Sequence, residues 1–169
     1  RRARELASTL AQKPAPEGIR FEADVSDDRA ALIVRGKAAH AGVNLAGGRN
    51  ALVALARLVG DDLPPGATSH LLAFARKAGE DVVGTGLDLL EDTPLWGRYA
   101  VNVATIGPNA RGVLTLTTNL RRVPPKSGRE LRLHLEALVA RFAEARATKL
   151  SVSGYFDSKL WAVSPEAPL

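Results

Sequence analysis

The chain has no cysteine and no methionine among its 169 residues. The first absence rules out a disulfide framework, a thiolate metal site and a cysteine nucleophile, and is silent about compartment. The second has a different meaning. A natural full-length product starts with methionine, so Arg1 is expected to mark a processed chain or a piece cut from a longer protein, and an excised domain is the preferred reading. Aromatic residues make up only 5% of the chain, too few and too scattered for a base-stacking platform. No apolar run approaches the roughly 20 residues that span a bilayer, and nothing resembles a signal peptide. The expectation is a cytoplasmic protein with neither membrane nor nucleic acid as a partner.

What is present is ordinary globular material: 46% hydrophobic and 24% charged residues, with a formal charge of +5. The basic residues are dispersed, so this charge permits an acidic partner without arguing for one. One domain, with decoration, fits the length.

The organising stretch is RGKAAHAGVNLAGGRNAL at 35–52, which ends an apolar run, crosses a glycine-rich segment and opens an amphipathic pattern. Before it, residues 2–12 read as a helix with Ala3, Leu6, Ala7 and Leu10 on one face, ended by Pro14 and Pro16. Residues 21–25 and 30–34 read as short strands around a turn at 26–29. From Asn50 onward Leu52, Leu55, Ala56 and Val59 recur with helical spacing, and Pro64, Pro65 and Gly66 break the pattern. Residues 67–97 are less regular. They hold a helix capped by Thr68 or Ser69 and read as part of an insertion at 61–97.

Residues 98–106 and 113–120 read as a hairpin. Ser127 with Glu130 forms a capping box for a long helix whose stripe is Leu131, Leu135, Leu138, Val139 and Phe142. Residues 150–156 alternate like a last strand. The order strand, helix, strand, strand, helix, strand predicts an α+β, ferredoxin-like βαββαβ two-layer sandwich: one four-stranded antiparallel sheet, two helices on one face, and the inserted helical segment. Residues 1–27 are expected to form an N-terminal helix and linker, 28–160 the domain, and 161–169 a C-terminal tail.

Chemistry candidates are few. His134 reads as helix surface, His70 as a residue near a helix start, and His40 as an accessible ring in a loop of small residues. No HxH or HxxxH spacing suggests a metal site, and neither GxGxxG nor GxxxxGK[ST] occurs. The pairs Asp27–Asp28 and Asp61–Asp62 read as solvated carboxylates, and Trp96 and Trp161 as packing residues. Either Arg121 or Arg122 could hold a carboxylate with its planar fork, or both could cap a solvated strand end. Asn102 and Asn119 sit in strand patterns and need partners if they face inward.

The 35–52 stretch resembles the start of the inserted lid or dimerisation domain of the M20 zinc-peptidase family, with Gly36, Lys37, Ala39, His40, Gly48, Asn50 and Ala51 matching together. TLTTNLRRVPPKSGRELRLHLEAL at 115–138 resembles that family's strand, arginine, proline turn and long helix. The enlarged segment before WGRYAVNVATIG is similar to the PepV-like dipeptidase branch. The family's proline near Asn44 is missing. The resemblance covers about residues 28–150. It implies that His40 stabilises a tetrahedral oxyanion, that Arg121 binds a substrate carboxylate, and that Asn102 matches the family's strand asparagine. It also implies a dipeptide or N-acyl amino acid substrate, a possible homodimer, and two zinc ions held by a catalytic domain absent from this chain. No cofactor is expected in this segment, and alone it is expected to be inactive. The rival reading is a stand-alone module that binds a protein or a small ligand.

Overall fold

The computed structural model describes residues 2–40, 45–60, 62–155 and 157. Helix α1 (Arg2–Ala11) lies across a hairpin of β1 (Arg20–Val25) and β2 (Ala30–Arg35). Its buried face is Ala7 and Leu10, at helical spacing. The hairpin turn is closed by the Ser26 N–H donating to the Arg29 carbonyl at 2.8 Å, so the boundary drawn at 27/28 falls inside this turn.

Helix α2 (Ala51–Val59) follows, then α3 (Ala67–Ala78), the two-residue strands β3 (Asp92–Thr93) and β4 (Gly97–Arg98), β5 (Ala100–Pro108), β6 (Leu114–Arg121) and α4 (Gly128–Ala145). The α4 start obeys local chemistry. The Glu130 N–H donates to Ser127 Oγ at 3.2 Å and the Ser127 N–H to Glu130 Oε2 at 2.7 Å, the reciprocal capping box. Those bonds hold the Glu130 carboxyl below the usual carboxylate range. Helix α3 starts otherwise: Gly66 is its cap and Ser69 bonds back to it, instead of Thr68 or Ser69 capping from outside.

The four-stranded ferredoxin-like sheet is not formed. The described residues make three separate two-stranded antiparallel sheets, β1–β2, β3–β4 and β5–β6. In the split order β2 would add to the free edge of β6. Among the described residues β2 pairs with β1 and β6 with β5, so that ladder is not made. The outer edge of β5 is occupied by other segments: the Val101 N–H donates to the Val82 carbonyl at 2.9 Å, and the Val103 carbonyl accepts from Asn50 Nδ2 at 2.7 Å. The predicted last strand is also missing. Residues 150–155 form no strand and bend at Gly154, which sits at φ 61°, and the Tyr155 hydroxyl donates to the Gly128 carbonyl at 2.9 Å, which lays the segment on the start of α4. Phe156, the far end of that predicted strand, and the tail at 161–169 lie outside the described residues.

The segment at 61–97 is framework as well as connection. Its Leu72, Ala75, Ala78, Leu87 and Leu89 join Leu10, Val53, Ala56, Tyr99, Val101, Val103, Leu131 and Leu138 in one core. Phe74 meets Phe142 edge to face at 5.1 Å, fastening α3 to α4. Among the described residues, no helix is long and apolar enough to cross a membrane.

Candidate functional site

His40 follows β2 on an exposed stretch. The neck of its loop is a two-bond bridge: the Lys37 N–H donates to the Arg49 carbonyl at 3.0 Å, and the Arg49 N–H returns to the Lys37 carbonyl at 2.9 Å. Gly36 passes so close to this neck that a Cβ would collide with the Arg49 carbonyl oxygen. The small residues of the motif therefore build the constriction from which His40 emerges. Gly42 and Asn44, also part of the motif, lie outside the described residues.

Asn50 is the hinge of the arrangement. Its Oδ1 accepts from the Val53 N–H at 3.0 Å and so caps α2, while its Nδ2 donates to Asn102 Oδ1 at 3.1 Å and to the Val103 carbonyl. One side chain thus ties the helix that follows the His40 loop to the edge of β5. Asn102 is half-buried, and its Oδ1 is satisfied by this bond. Asn50→Ala is expected to cost about 2 kcal/mol, from a lost cap and two part-buried acceptors left without their donor. Asn50→Asp keeps the cap but cannot donate to Asn102 Oδ1 or the Val103 carbonyl, so a loss there reports the two donated bonds. Urea unfolding would measure both, and an alanine variant as stable as the parent would contradict the hinge.

A groove of about 900 Å³ opens between the β1–β2 hairpin and β5, floored by α2. Lys37, Ala38 and Ala39, directly before His40, form one wall and Asn102 the other. Lys13, Arg49 and Arg57 also line it, against Glu80 and Asp81, so its border is cationic on balance. Asp81 is occupied as a cap: although partial burial opposes ionisation, its hydrogen bonds from Thr85, Val83 and Gly84 hold it below the ordinary range.

The two arginines at the end of β6 separate. Ala100 stands opposite Arg121 and Asn102 opposite Asn119, while Val101 and Val103, which face the core, stand opposite Leu120 and Thr118. Alternation then puts Arg121 on the outer face with Asn102 and Asn119, and turns Arg122 inward. Arg121 is exposed and does not line the groove. The structure therefore brings residues 37–39 and Asn102 to one groove, while His40 itself is not among its lining residues and Arg121 lies one residue pair further along the outer face. Arg122 holds a carboxylate, that of Asp157, with Nε and Nη2 at 3.3 and 3.4 Å from its two oxygens.

The other histidines have plain positions. His134 is half-buried and not free surface; its Nε2 donates to the Leu87 carbonyl at 2.8 Å, pinning α4 to the 85–87 turn. His70 sits half-buried in the first turn of α3. Among the described residues no three His, Asp or Glu side chains gather as metal ligands. Sequence reasoning missed the Asn50 hinge and the Arg122–Asp157 pair. A polar residue just before a helical pattern signals the first in part, as a cap; the second joins positions 35 residues apart and carries no local signal. No protein-family model matches the sequence, and no curated protein matches it either.

Proposed function

We propose that this chain is the lid or dimerisation domain of a larger cytoplasmic dinuclear zinc dipeptidase or related amidohydrolase. In this reading His40 donates a hydrogen bond to the oxyanion that forms on the scissile carbonyl. Arg121 receives the carboxylate of a dipeptide or N-acyl amino acid, and Asn102 lines the approach. The catalytic domain, outside this chain, would carry the two zinc ions, and possible homodimerisation belongs to the same reading. The observation that carries it is an exposed His40 directly after residues 37–39, which line a cation-bordered groove that Asn102 also lines. An imidazole on an open loop can be brought against a substrate held elsewhere, so closure of two domains would complete the site.

Arg121 gives the discriminating test. In the complete polypeptide, Arg121→Ala should raise KM about 10–100-fold for a substrate with a free carboxylate, as expected for loss of a charge-assisted bidentate contact. The same substitution should leave an amidated analogue nearly unaffected. Equal losses on both substrates, or none, would remove Arg121 from the site. The second reading, a stand-alone binding module, rests on the groove alone; a gene that encodes only this chain would favour it.

A further inference from the structure

We propose that Arg122, Gly128 and the amino end of α4 form a carboxylate-receiving site, and that Asp157 is its intramolecular occupant. This site lies on the inward face of the β5–β6 hairpin, away from the groove, and does not rest on the reading of His40 and Arg121.

Four observations converge. The Arg122 side chain is only 13% exposed, and its fork spans both oxygens of Asp157 while Nη1 donates to the Lys126 carbonyl at 2.9 Å. The guanidinium is thereby fixed in position before any carboxylate arrives, which lowers the ordering cost of binding one. Gly128, first residue of an 18-residue helix, has no side chain where the carboxylate rests; a Cβ there would collide with Asp157 Oδ2. The helix dipole favours negative charge at that end.

The third observation is Tyr99. It is 1% exposed, and its hydroxyl has no hydrogen-bond partner among the described residues. The phenol lies within electrostatic reach of the Arg122 charge, so an orphaned donor belongs to the same buried neighbourhood. Burial pushes the Tyr99 phenol upward, and the Arg122 charge acts against that, as expected of neighbours. The fourth is the occupant itself. Asp157 keeps 35% of its side chain in contact with solvent, and its segment joins no sheet. A carboxylate at the surface, carried by a stretch that no sheet holds among the described residues, can leave, and the cradle behind it can take another.

Removing the occupant's carboxylate tests this directly. Asp157→Ala should lower Tm by about 3 °C, the effect of one partly exposed charged pair in a domain of this size. Sodium acetate, titrated against sodium chloride at equal ionic strength, should restore that loss along a saturating curve. The parent chain, whose site is filled, should show no such acetate effect, and neither should Asp157→Ala combined with Arg122→Ala. Should Asp157→Ala fail to fold in chloride, acetate should raise its folded fraction, and Asp157→Ser provides the same titration from a folded start. Acetate that does no more than chloride would overturn the proposal. So would a rescue that survives loss of Arg122, because the anion would then be binding elsewhere.

Discussion

Replacing His40 with alanine in the complete polypeptide is expected to lower kcat by about 10²–10³-fold, the usual consequence of losing one oxyanion donor. Tm should stay within about 1 °C of the parent, since substitutions at exposed loop positions seldom move stability by more than about 0.5 kcal/mol. The split follows from His40's place. It is exposed, and the bonds that close its loop run between the backbones of Lys37 and Arg49, so the ring can be removed without opening the neck. KM should change little, because a donor aimed at the oxyanion acts in the transition state and not on the bound substrate. Steady-state kinetics and a thermal melt on the same preparation decide it. A parallel fall in Tm and kcat would make His40 a structural residue, and an unchanged kcat would remove it from the chemistry.

The largest expected effect on stability belongs to Leu138. It is 2% exposed and among the largest fully buried side chains, on the stripe where α4 meets the shared core. Leu138→Ala should cost about 3 kcal/mol, part lost transfer of apolar surface and part the cavity left in a packed interior. That corresponds to a Tm lower by about 6–12 °C for a chain of this length. Leu133, on the same helix and 55% exposed, supplies the control: Leu133→Ala should stay within about 0.5 kcal/mol. Chemical denaturation of both variants checks the assignment of faces, and similar losses would mean that α4 buries a different stripe.

The elements themselves were legible where their causes are local. Ser127 and Glu130 announce the start of α4 because a cap is settled within four residues. The β1–β2 and β5–β6 hairpins follow from apolar runs flanking short polar turns. Helical spacing marked Leu131 and Leu138, both of which are buried. The candidate site was legible in the same partial way. A histidine after a strand, among glycines, reads as accessible, and His40 is exposed. The sequence left open which of Arg121 and Arg122 meets a carboxylate; alternation from Thr118 and Leu120 separates their faces, and only the fold supplies Asp157.

Sequence alone thus determined the four helices and the two longer hairpins of the described residues, where α4 is capped and which of its faces is apolar, because those depend on neighbours a few residues away; it did not determine the fate of residues 150–155 or the short β3–β4 pair. Tertiary structure decided how the pieces join. Whether β2 joins the β5–β6 sheet depends on which strand it meets in the fold, and it pairs with β1 instead of β6. Whether residues 150–155 become a strand depends on Gly128 and Arg122, which draw Tyr155 and Asp157 onto the start of α4. The partner of each strand edge is set by the packing of distant segments, so the choice between one sheet and three is made only when the chain is folded.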